Sequence, residues 1–146
     1  MITELPDMLF EAISIDSCSL DRNAIKILMG RAPLHFQYST EMTLCPTENR
    51  ISVSAHLRYI IDGTPLLQMT ATIPFIVPNL QHRYRVDEHS GDIVFRQNLV
   101  PELLSQTAGT VRGLLAAKVQ GTKLVDYPLP LYSSRMLIEA NRLIMN

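Results

Sequence analysis

Apolar and polar residues alternate with a period of two through much of the first half of the chain. From Leu34 onward, Leu34, Phe36, Tyr38, Thr40, Met42 and Leu44 fall on one face, and His35, Gln37, Ser39, Glu41 and Thr43 on the other. Successive side chains of a strand point to opposite faces, so this pattern predicts a strand over 34–45 with one buried side. A polar break at 46–49 precedes Ile51, Val53, Ala55, Leu57, Tyr59 and Ile61, opposed by Ser52, Ser54, His56 and Arg58, which predicts a second such strand over 50–61. Asp62-Gly63 supplies residues that tolerate positive φ in a tight hairpin, and Leu67, Met69, Ala71, Ile73, Phe75 and Val77 carry the alternation through a strand over 65–77. Upstream, Ile13 and Ile15 alternate with Ser14 and Asp16 and mark a first strand over 10–21. Residues 21–33 mix charges with a short apolar cluster and end in Gly30 and Pro33, which suits a crossover connection.

The period then changes. Residues 79–97 are polar and charged, with a turn signal at Ser90-Gly91 that allows a small hairpin. Beyond them Leu99, Leu103, Leu104, Ala108, Val111, Leu114, Leu115 and Val119 recur at three- and four-residue steps, predicting an amphipathic helix over 99–120 capped by Asn98 and stopped at Gly121. Gly109, Gly113, Ala116 and Ala117 leave part of that helix low and smooth. Glycine inside a helix costs up to about 1 kcal/mol against alanine, so two of them imply close approach by another element. Pro128 and Pro130 force an extended path, and Ser133 or Ser134 opens a closing helix over 133–144. The expected fold is α+β in one domain: a four-stranded antiparallel sheet, a long helix and a short C-terminal helix, with the sheet covered on its apolar side only.

Composition narrows the function classes. With 146 residues, 47% hydrophobic and 18% charged, the chain has the makings of one folded core. Thirteen basic against fourteen acidic residues give a formal net charge of -1, which provides no field for nucleic acid or anionic lipid. The first residues show no secretory-signal pattern and no apolar run approaches the roughly 20 residues of a membrane helix, so a cytoplasmic location is expected. Cys18 and Cys45 lie in strand-like sequence without metal-ligand spacing and read as small apolar packing residues.

The order of these elements, together with TAGTVRGLLAAKVQGTKLVDYPLPLYSSRMLIE, resembles the SecB family of export chaperones. The resemblance spans nearly the whole chain as topology and is most specific from Arg112 to Tyr132, where a small-residue-rich helix runs into Leu124, Pro128, Leu129, Pro130, Leu131 and Tyr132. It implies a non-catalytic holdase that binds unfolded or hydrophobic polypeptide in surface grooves, assembled as a tetramer of two dimers through sheets and long helices. By the same resemblance the groove would use Phe36, Tyr38, Met42, Tyr132 and Met136, and the oligomer interface Gly109, Gly113, Ala116 and Ala117. Flexible methionines and flat aromatic rings suit a surface that accepts many sequences. The plainer reading of the same side chains is that they fill the core. Two departures from the family pattern speak against contact with the SecA motor: the near-neutral charge, and the charged segment 79–97.

Chemistry-bearing residues are sparse. His82, Asp87, Glu88, His89 and Asp92 have metal-ligand chemistry but no recognisable spacing, and a solvated loop is the better reading. His35 and His56 lie on polar strand faces with no nucleophile motif beside them. No cofactor or metal is expected. The alternative function is a small-molecule-binding or enzymatic domain with a pocket between helix and sheet, near His35, His56 or the 79–97 segment.

Overall fold

The computed structural model describes residues 9–10, 12–96 and 98–145; Glu11, inside the expected first strand, and Gln97, the last residue of the charged segment, lie outside the described residues. The three alternating segments form β3 (His35–Cys45), β4 (Arg50–Ile61) and β5 (Thr64–Ile76), a continuous antiparallel meander. Asp62 and Gly63 both adopt positive φ, 47° and 74°, in the turn between β4 and β5, as the Asp-Gly signal requires. The first strand is divided into β1 (Leu9–Phe10) and β2 (Ser14–Leu20), both antiparallel to β5, with a register shift between Ile15 and Ser17. In the crossover, Asp21 accepts a hydrogen bond from the Ala24 amide and starts the short helix α1 (Arg22–Leu28).

Segment 79–97 does contain the small hairpin, β6 (Tyr84–Val86) paired with β7 (Ile93–Phe95) as a separate ribbon. The long helix α2 (Leu99–Lys118) follows. Asn98 precedes it but makes no side-chain cap bond, contrary to the sequence expectation. Ser133 does cap α3 (Ser134–Glu139), accepting from the Met136 amide.

The closing helix is shorter than its pattern predicts. It ends at Glu139, and residues Asn141–Met145 form β8, which pairs in parallel with β3. The sheet is therefore mixed, ordered β1/β2, β5, β4, β3, β8, and the expectation of four purely antiparallel strands is corrected. A single 3-10 turn at Pro46–Glu48 also interrupts the β3–β4 connection. The reason for the miss lies in Leu143 and Ile144, whose spacing suits a helix as well as a strand, while the partner that decides lies about a hundred positions upstream.

The apolar face carries the core. Met42, Leu44, Ile51, Val53, Leu57, Ile61, Met69, Ile73 and Phe75 are fully buried beneath Leu99, Leu103, Leu104, Ala108, Val111 and Leu115 of α2. Each such side chain contributes roughly 1.5–3 kcal/mol by leaving water. Thr107 joins them, its hydroxyl returned to the Leu103 carbonyl at 2.8 Å. The opposite face holds half-buried hydroxyls and charges, such as Ser54 against Thr72 and His56 between Thr70 and Glu41. Edge strand β2 is exposed on both faces, so Cys18 is exposed rather than packed; Cys45 is half-buried.

Candidate functional site

Toward the start of β3 the inward side chains stop being core and line two adjoining clefts. Along β3 the inward positions run from half-buried Phe36 and Tyr38 to buried Thr40, Met42 and Leu44. The larger cleft, about 590 Å³, lies between the turn after α1 and the proline loop, lined chiefly by Met29, Pro33, Leu34, Phe36, Tyr59 and Tyr127. The smaller, about 340 Å³, lies between β3 and α3 and is lined by Phe36, Tyr38, Tyr132, Met136, Leu137 and Ala140 with Gln37. Phe36 is common to both.

Aromatic contacts hold the walls in place. Phe36 leans on Tyr59 with ring centroids 4.8 Å apart, and Tyr38 stacks on Tyr132 at 5.7 Å. The Tyr59 hydroxyl donates to the Tyr127 carbonyl and ties the proline loop to the sheet. Arg112 of α2 pins the same loop, donating from Nε to the Leu129 carbonyl and from Nη2 to the Pro130 carbonyl, each at 3.2 Å. These bonds leave Leu131 88% exposed and Tyr127 and Met136 about half exposed. A loop anchored through its main chain can present apolar side chains to water without collapsing onto the core.

Two polar features of the smaller cleft are unsatisfied. The Tyr38 hydroxyl is buried, and no described residue pairs with it. Burial, reinforced by Tyr132 and opposed by Arg112, pushes its pKa up to about 12; burial and Tyr132 do the same for Tyr59. The second feature is main chain. β8 pairs with β3 only over 40–44, and the first bond on that side runs from the Thr40 amide to the Ala140 carbonyl. Outward-pointing amides recur every second residue, so those of Phe36 and Tyr38 face the same side, where no described strand continues β8.

The residues singled out from sequence therefore divide. Phe36, Tyr38, Tyr132 and Met136 meet at one place, whereas Met42 is 0% exposed and belongs to the core. Sequence reading missed Met29, Tyr59 and Tyr127; the signal available for Tyr127 was an aromatic residue beside two prolines in a loop. Gly109, Gly113, Ala116 and Ala117 all lie on the exposed side of α2, and a Cβ built on either glycine would meet nothing within 4 Å. His35 is exposed and His56 sits on the polar sheet face, so neither lines the two clefts. Asp87 serves its own turn, accepting from the His89 and Ser90 amides, which hold its carboxyl below the usual range. Among the described residues no three His, Cys, Asp or Glu side chains are placed to share a metal ion, and no helix is long and apolar enough to cross a membrane.

The arrangement defines an α+β domain with an open apolar groove along a half-free sheet edge. Neither the family models nor the curated proteins give a match to the chain. Among solved structures it is similar to the Mycobacterium tuberculosis Rv1957 SecB-like chaperone in complex with a ChAD peptide from the Rv1956 HigA1 antitoxin, with a TM-score of 0.45 and 11% identity, covering 86% of each chain.

Proposed function

We propose that the protein is a non-catalytic, SecB-like cytoplasmic holdase whose Phe36 groove binds unfolded or hydrophobic polypeptide segments in extended form. The observation that carries this reading is the pairing of two apolar clefts, joined at Phe36, with the outer edge of β3 between residues 35 and 39, along which no described strand lies. An extended segment laid there gains main-chain hydrogen bonds from the strand edge and buries alternate side chains in the clefts. Main-chain bonds are indifferent to sequence, and a flexible methionine beside flat aromatic rings accommodates varied side chains, so binding is broad rather than specific. The test is suppression of aggregation of an unfolded model protein. Protection that a Phe36→Asp variant loses while remaining folded is the expected result; equal protection by both proteins overturns the assignment.

The copy number belongs to the same proposal. Among the described residues the two glycines of α2 have no packing partner, so we assign the close approach they allow to a second copy; a dimer of dimers is the assembly the family resemblance implies. Gly113→Ala separates the cases. In a monomer it stabilises the helix by up to about 1 kcal/mol. At a tight interface the added methyl weakens assembly, read by light scattering as a shift of the oligomer midpoint to higher concentration.

A further inference from the structure

We propose that a basic cleft beside the apolar groove selects client segments carrying acidic residues next to their apolar anchor; the inference rests on the peptide-binding reading above. Arg22 and Lys26 lie four positions apart on α1 and project from the same side, a like-charge spacing that slightly destabilises a helix. Lys123 faces them from the turn after α2, and the three line a cleft of about 300 Å³ with Asn23, buried Ile25 and Thr122. Gly121, at φ 78°, lets the chain pass close by: a Cβ there would stand 3.7 Å from Arg22 Nη1.

None of these three cations forms an ion pair with a described carboxylate. The acidic groups nearby are otherwise placed. Asp21 caps α1, and Asp126 lines the larger apolar cleft at the far end of the 3-10 turn Lys123–Asp126. In a chain of net charge -1, this is a local positive surplus with a defined mouth.

Its position gives it a partner. The same two segments line both sites: α1 and the turn that follows it on one side, and residues 121–130 on the other. The basic end and the apolar end are separated by one 3-10 turn, about 6 Å at roughly 2 Å per residue. Extended chain advances about 3.3 Å per residue, so a segment anchored in the apolar cleft places a residue a few positions away over the cations. A carboxylate is the group that complements them there.

Calorimetric titration of unlabelled peptides tests this, using one apolar-aromatic centre flanked on both sides by Glu, Gln or Lys pairs. The Glu peptide is expected to bind roughly 3- to 10-fold more tightly than the Gln peptide at about 50 mM salt, with the advantage largely gone at about 500 mM. Lys26→Glu with Lys123→Glu, both at exposed positions, is expected to reverse the preference toward the Lys peptide. Gln and Glu peptides that bind the native protein equally at low salt overturn the acidic preference and leave the groove reading intact. A folded protein that binds none of the peptides overturns both.

Discussion

The two halves of β3 share one alternation and have different fates. From Thr40 to Leu44 the inward side chains are buried and the outer edge is sealed by β8; from His35 to Ser39 the same face opens into clefts and no described strand lies along the same edge. The contrast shows that a two-residue period reports which face is apolar and nothing about what covers it. Closure comes from other parts of the chain, and its end point at Thr40 is set by the Ala140 carbonyl and by Asn141 Oδ1, which accepts from the Thr40 hydroxyl at 2.7 Å.

The sharpest test of that contrast is charge placed on each half. Met42→Asp buries a carboxylate with no partner at a site of 0% exposure and is expected to abolish folding, whereas Met42→Ala costs about 2–5 kcal/mol by leaving a cavity. A thermal melt unchanged by either removes Met42 from the core. In the open half, Tyr132→Asp combined with Met136→Asp is expected to weaken client binding at least tenfold, about 1.4 kcal/mol, with the circular dichroism spectrum retained. Normal client binding by the folded double variant rejects the groove; an unfolded variant assigns these side chains to the core with Met42.

Smaller effects distinguish two hydroxyls, one paired and one not. Tyr59→Phe removes a bond to the Tyr127 carbonyl and is expected to cost about 1 kcal/mol, or roughly 2–4 °C in melting temperature. Tyr38→Phe removes a buried, unpaired hydroxyl and is expected to leave the melting temperature equal or higher, which equal losses in the two variants would contradict. The pH dependence follows from the same groups. Both tyrosines have native pKa values of about 12 against 10 in the unfolded chain, so the folded state holds its protons longer. Their contribution is fully present below pH 10 and is lost as pH rises toward 12, with absorbance of the phenolate as the readout.

Much of the sheet was legible because its strands are long and locally patterned. β3, β4 and β5 each repeat the alternation over ten or more residues, and Asp62-Gly63 fixes the turn between two of them. β8 was not legible, since five residues with Leu143 and Ile144 adjacent fit either period and their parallel partner is remote. The site was half legible for the same reason. An aromatic residue at Phe36 or Tyr132 announces apolar area, but Met42, with identical patterning, differs only in being fully covered, and Tyr59 joins the groove through a hydrogen bond to a loop far along the chain.

The parallel ladder between β3 and β8 also orders the assembly of the molecule in time. Thr40 and Asn141 lie 101 residues apart, so the meander, the crossover helix and α2 can all form before that seam closes. Contacts between distant positions form slowly because the intervening chain must first be brought together. During synthesis the whole outer edge of β3, and not only its first half, therefore stands open until the final strand arrives. A nascent chain of this protein thus passes through a stage in which its own edge is an invitation to other strands, and β8 narrows that invitation to the length of the groove.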